Sequence, residues 1–269
     1  MLMPDFQVID ERFRRLVMGN VHVEKLATGM RWAEGPAWFP AHRYLMWSDI
    51  PNNRQMRWDE TDGSVSVLRE PADNSNGNTV DRQGRLVTCH HRTRNVVRTE
   101  HDGSRTVLAS HWEGKRLNSP NDVVVKSDGS VWFTDPSYGI DSEYEGDAAA
   151  PEIGGCHVYR LTLPDRTLTP VATDFVKPNG LAFSPDETRL YIVDSGYSHG
   201  EHLPRHIRVF DVQGDRLGGG AVFATCDVGL FDGLRVDVHG NVWTSAGDGV
   251  QCYAPDGTLL GKRIGRAHV

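Results

Sequence analysis

The chain has 269 residues, 28 of them glycine, and a formal charge of −7 at pH 7 with a pI of about 5.9. That acidic balance lacks the basic face that displaces counterions from nucleic acid. No run approaches the roughly 18 apolar residues of a membrane-spanning helix, so neither nucleic acid nor membrane is an expected partner. Cys89, Cys156, Cys226 and Cys252 lie far apart without a C-x-x-C spacing, so they read as separate buried thiols of a reducing compartment. The first residues mix Asp and Arg without an apolar h-region, which reads as a cytoplasmic protein with no secretory leader.

In chain order, Phe6, Ile9, Phe13 and Leu16 fall at helical spacing and predict a short helix over Asp5 to Val17, followed by a strand over His22 to Leu26. Residues 1–28 are thus a helix/strand extension. From Trp32 the pattern changes to short runs rich in Val and aromatics, separated by Asp-Gly and similar turns. The first unit predicts strands over Trp32–Phe39, Tyr44–Asp49, Arg54–Trp58 and Val65–Leu68. The second predicts Thr79–Val80, Leu86–Thr88, Asn95–Arg98 and Thr106–Leu108, and the third Asp122–Val125, Val131–Thr134, His157–Leu161 and Leu168–Ala172. A long polar loop, Gly139 to Gly155, interrupts the third. The fourth predicts Leu181–Phe183, Leu190–Val193, His206–Asp211 and Val222–Phe223; the fifth predicts Leu234–Val236, Val242–Thr244, Val250–Tyr253 and Thr258–Leu260.

Each unit opens on an acid or amide, Glu34, Asn76, Asn121, Asn179 or Asp232, giving steps of 42, 45, 58 and 53 residues. Self-similarity of roughly 40–50 residues with four strands per repeat is the signature of a β-propeller. A two-sheet sandwich is the alternative, but it does not account for a repeating four-strand unit. The chain therefore reads as one all-β domain over 1–269. In a propeller the first strand of each blade lines the central channel, so the opening residues converge near the axis. Two carboxylates and three amides make an oxygen-only site, which suits calcium with its roughly 6–8 oxygen ligands better than zinc.

Other chemistries find little support. The sequence holds no G-x-S-x-G elbow, S-x-x-K or H-E-x-x-H. In Cys89-His90-His91, neighbours on a strand face opposite ways, so at most one of Cys89 and His90 faces the channel, and His90 is the candidate pocket residue. His199 and His202 read as part of a solvated loop.

Glu34-Gly35-Pro36, Ser119-Pro120-Asn121-Asp122, Pro178-Asn179-Gly180-Leu181-Ala182-Phe183-Ser184 and Phe231-Asp232-Gly233 resemble the motifs of the gluconolactonase / senescence-marker-protein (regucalcin) family over about residues 30 to 262. Asn76-Gly77 with Asp81 to Leu86, and Leu117 to Tyr138, resemble bacterial gluconolactonases. The resemblance implies a six-bladed propeller of four-stranded antiparallel blades, of which the last is apparently incomplete here, with an axial divalent cation on Glu34, Asn121, Asn179 and Asp232. It implies calcium first, with Zn2+, Mg2+ or Mn2+ as alternatives. It further implies hydrolysis of a sugar lactone by a monomer or weak homo-oligomer. The cation would polarise the carbonyl, Asn121 would add a hydrogen bond and Asp232 would activate water. Asn76 would line the pocket wall, and Asp135, Tyr138 and Asp194, which follow second strands, would bind hydroxyls at the rim. Regucalcin-like members carry an Arg where Ser119 stands here, so recognition of the sugar would differ from theirs. A phosphotriesterase on the same propeller and a non-enzymatic scaffold are the alternatives.

Overall fold

The hairpin turns repeat one device. Asp62, Asp102, Asp128 and Asp256 each accept, through Oδ1, the backbone N–H two residues ahead, from Ser64, Ser104, Ser130 and Thr258, at 2.8–2.9 Å. Gly63, Gly103, Gly129 and Gly257 follow them at positive φ, which only glycine adopts freely. The aspartate closes the turn, the glycine reverses the chain, and apolar runs on either side pair as antiparallel strands.

The protein, seen in a computed structural model, is described over residues 5–18 and 22–265. It divides into two compact units, Leu26–Pro178 and Met1–Lys25 with Asn179–Val269. The first unit holds three four-stranded sheets, each with its strands in sequence order. They are β2 to β5 (Ala33–Phe39, Tyr44–Asp49, Arg54–Asp59, Val65–Arg69), β6 to β9 (Ser75–Val80, Leu86–His90, Asn95–Thr99, Arg105–Ala109) and β12 to β15 (Val123–Val125, Val131–Asp135, Cys156–Thr162, Thr167–Phe175). A two-stranded ribbon, β10 and β11 (His111–Trp112, Lys115–Arg116), precedes the third sheet, and a single helical turn, α1 (Tyr138–Asp141), follows β13. In the second unit, β16 to β19 (Pro178–Phe183, Arg189–Asp194, His206–Gln213, Arg216–Thr225) form one sheet. β20 to β23 (Leu234–Val236, Val242–Ala246, Gly249–Tyr253, Leu259–Ile264) form the other, extended by β1 (Phe6–Val8).

Adjacent sheets bury their apolar residues against each other. In the first unit Val87, Cys89 and Val96 pack with Val123, Phe133 and Tyr159; in the second Tyr191, Val193 and Ile207 pack with Leu234, Val242 and Tyr253. All four cysteines are free thiols.

Three expectations change. The described residues contain five blade-like sheets, four of four strands and one extended to five by β1, not six. Phe6 to Leu16 are not one helix: β1 pairs antiparallel with β23, and a 3₁₀ turn covers Glu11–Arg15. Asp10 caps that turn through Arg12 N, and Phe13 is fully buried beside Trp243, ring centroids 5.9 Å apart. The apolar spacing is therefore used by strand pairing and docking, tertiary contacts that outweigh local periodicity. His22 to Leu26 form no strand.

Candidate functional site

The opening residues of the first unit lie where strand pairing breaks. Glu34 of β2 pairs with Ser48, and the register slips before Ala37 meets Met46. In β6 the slip falls between Ser75 and Asn78, placing Asn76 and Gly77 in the irregularity. Such bulges release a side chain from the pleat and re-aim it. The glycines after Glu34 and Asn76 allow neighbouring backbones to touch: a Cβ on Gly35 would lie 2.2 Å from the Asn76 carbonyl oxygen, and one on Gly77 2.3 Å from that of Asn121. Gly77 N donates to Asn121 O at 2.7 Å. Glu34, Asn76 and Asn121 thus open three successive sheets whose first strands meet backbone to backbone.

Buried side chains lock this contact. Asn78 donates to Gly35 O, Ser48 Oγ and Asn76 O at 2.8–3.0 Å and accepts from Thr88 Oγ1 at 2.8 Å. Ser48 Oγ donates to Asn76 O at 2.7 Å. Asn76 and Asn121 are 5% and 6% exposed. The Asn121 side chain makes no hydrogen bond among the described residues, and nothing among them donates to Asn76 Oδ1. Neither the Asn76 Oδ1 nor the Asn121 amide is sealed from solvent, so both stand open at their sheet openings to a ligand.

The second unit repeats the arrangement at Asn179 and Asp232. Gly180 N donates to Asp232 O at 3.0 Å, and a Cβ on Gly180 would lie 2.6 Å from that oxygen. Ser195 Oγ donates to Phe231 O at 2.7 Å and Thr244 Oγ1 to Gly233 O at 3.1 Å, fixing the segment that carries Asp232.

The aspartates that end second strands are braces rather than rim groups. Asp49 accepts from Arg31 N and Trp32 N, ahead of Glu34; Asp135 accepts from Asn118 N at 2.8 Å, ahead of Asn121; Asp194 accepts from Gly196 N at 3.1 Å. Asp135 and Asp194 are 0% and 2% exposed, because each lies at a strand end covered by the loop it holds. Burial raises the Asp135 carboxyl to about 7, against the opposing pull of the Asn118 and Ser119 amides and Arg94. The folded protein therefore holds a proton that the unfolded chain releases between about pH 4 and 7, so this group subtracts stability as pH rises through that window, by up to about 1.4 kcal/mol per unit. Asp135→Asn should keep the Asn118 contact and remove that slope. Urea unfolding of both proteins at pH 5 and pH 8 should show the variant gaining relative to the native chain at pH 8; parallel values at the two pH values would count against a protonated Asp135.

His90 bonds to side chains of β8 and β9. Its Nδ1 lies 3.1 Å from Asn95 Oδ1 and 3.3 Å from an Arg105 nitrogen, and burial, then Arg105, lowers its pKa to about 4. The imidazole that meets an opening residue is His91, whose Nε2 is 3.2 Å from Asn76 Nδ2. It lies one residue beyond β7, where alternation along the strand no longer predicts direction. Tyr138 is half-buried with the Lys177 ammonium over its ring at 5.2 Å. Lys177, which the sequence did not single out, also donates to Ser137 Oγ and, at 3.0 Å, to Asp141.

Among the described residues no three His, Cys, Asp or Glu form a cluster suited to a metal ion. The openings of the first unit carry the Glu34 carboxylate and the Asn76 and Asn121 amides, and those of the second carry the Asn179 amide and the Asp232 carboxylate, all of them oxygen donors. The model of the SMP-30/Gluconolactonase/LRE-like region matches residues 32–264. The chain belongs to that family. It is 32% identical over 262 residues to a gluconolactonase of Zymomonas mobilis, covering 89% of this chain and 71% of that protein. A pentonolactonase of Haloferax volcanii is 30% identical over 243 residues, covering 87% and 74%. The solved gluconolactonase of Xanthomonas campestris superposes with a TM-score of 0.90 at 39% identity, covering 97% of this chain and 84% of that one. The four-stranded antiparallel sheets are blades of a β-propeller, and the family is one of lactone hydrolases.

Proposed function

We propose that this chain hydrolyses the ester ring of a sugar lactone with the help of one divalent cation, calcium foremost, on Glu34, Asn121, Asn179 and Asp232. The observation that carries the reading is the Asn121 amide: 6% exposed, at the opening of its sheet, and without a hydrogen-bond partner among the described residues. The donors fit a hard cation, since all are oxygens and two are carboxylates. When bound, the ion supplies Lewis-acid polarisation of the lactone carbonyl. Asn121 Nδ2 donates to the carbonyl oxygen as charge develops there. Asp232 holds the attacking water and accepts its proton, and Asn76 receives a substrate hydroxyl. The related gluconolactonase and pentonolactonase support the lactone class.

A pH-stat assay of purified protein on glucono-δ-lactone and a pentonolactone tests this. Acid release should exceed the spontaneous rate, stop after chelation and return with added calcium. Release at the spontaneous rate on both lactones overturns the lactonase reading; full activity after exhaustive chelation overturns the cation.

A further inference from the structure

The Asn76 amide is held by a part of the chain that lies outside its own strand. An amide nitrogen has no lone pair, so the 3.2 Å approach of Asn76 Nδ2 to His91 Nε2 is a hydrogen bond only if Nδ2 donates and Nε2 is bare. The ring proton then sits on Nδ1, which lies 3.5 Å from Glu145 Oε2 and makes no hydrogen bond among the described residues. His91 is fully buried and neutral, since burial lowers its pKa to about 4.

The chain packs closely on one side of it. A Cβ on Gly139 would lie 2.4 Å from the His91 Cβ and 2.8 Å from that of Ser119, so the segment after β13 packs directly on the ring. The loop that follows is tied to the same sheet, with Arg92 Nε donating to Asp147 Oδ1 at 3.0 Å. The long polar loop of the third sheet thus carries Glu145 onto the imidazole of the second, and the imidazole grips the amide that opens that sheet.

We infer that His91, seated against Glu145, is a positioning residue that fixes the Asn76 amide, so that Oδ1 is presented to a substrate hydroxyl. This rests on the lactonase reading above. Without the imidazole acceptor the amide is free to rotate, and the NH2 group, a donor, competes for the same place. A lactone that offers a hydroxyl hydrogen there would bind less well, while the carbonyl chemistry at Asn121 and Asp232 would be untouched. The loss should therefore appear in KM.

The test combines variants with a readout that needs no activity. His91→Leu should lower kcat/KM on glucono-δ-lactone about 10-fold, the worth of one hydrogen bond, mainly through KM. His91→Gln, whose Oε1 can replace Nε2 as acceptor, should restore most of it. In an Asn76→Ala background His91→Leu should bring no further loss in kcat/KM, whatever it does to melting temperature. Nitrogen-15 NMR of the native protein should show His91 with Nδ1 protonated and Nε2 bare. Additive losses in the double variant, or a proton on Nε2, overturns the inference. A native protein with no lactonase activity sinks the functional reading instead, and the NMR result still decides the His91–Asn76 arrangement.

Discussion

Replacing Asp232 by Asn is expected to lower lactone hydrolysis by about 10²–10⁴, a loss that saturating calcium does not reverse. The variant keeps an oxygen that can meet a cation but has no basic oxygen to take a proton from water. Its backbone should hold, since Gly180 N, Ser195 Oγ and Thr244 Oγ1 bond the carbonyls of residues 231–233 and not the carboxylate. Glu34→Gln should behave differently. Glu34 lies in a slipped register beside Gly35-Pro36, where the chain is held by Asn78, and its proposed task is only to bind the ion. Loss of its charge lowers occupancy, so calcium titration should restore activity in part. Measuring hydrolysis of both variants across a calcium series separates the two roles. Recovery of Asp232→Asn at high calcium would make Asp232 a ligand only and move the base elsewhere.

The sequence displays the blades because their turn chemistry is local. Asp-Gly pairs place each reversal within a residue or two, and the alternating apolar runs between them need no knowledge of the partner sheet. The opening residues are legible for a related reason: Asn76-Gly77 and Asn179-Gly180 each combine a polar side chain with a glycine demanded by backbone contact, and Asp232-Gly233 repeats the polar-glycine pair in phase. What escaped is non-local. His91 and Lys177 become meaningful only through the loop after β13, which brings Glu145, Ser137 and Asp141 to them. Asp135 and Asp194 look like site acids in sequence, but their carboxylates are turned to backbone amides that no spacing rule reveals. Phe6 to Leu16 mislead in the opposite sense, since an apolar spacing suited to a helix serves equally to pair one strand and bury one phenylalanine.

Gly77→Ala is expected to be among the damaging single-methyl changes in the first unit. The added carbon would lie 2.3 Å from Asn121 O, 2.6 Å from Asp122 Cα and 2.8 Å from Asp122 Oδ1. Two of those atoms are backbone and cannot rotate away, so the second and third sheets must separate locally. That movement also stretches the 2.7 Å bond from Gly77 N to Asn121 O. Overpacking of this kind costs about 1–3 kcal/mol, and a weakened buried hydrogen bond adds about 1 kcal/mol. Activity should fall further than stability, because Asn76 and Asn121 flank the clash and move with it. Gly84→Ala is the control. Gly84 sits in the β6–β7 turn at φ +79° with nothing within 4 Å of the added carbon, so only backbone strain of about 1 kcal/mol is introduced, far from both amides. Urea unfolding and lactone hydrolysis should therefore show Gly84→Ala mildly destabilised and active, and Gly77→Ala strongly destabilised and nearly inactive even at temperatures where it is folded. A folded Gly77→Ala with native turnover would mean that the first strands need not touch, and that the spacing of Asn76 from Asn121 does not govern catalysis.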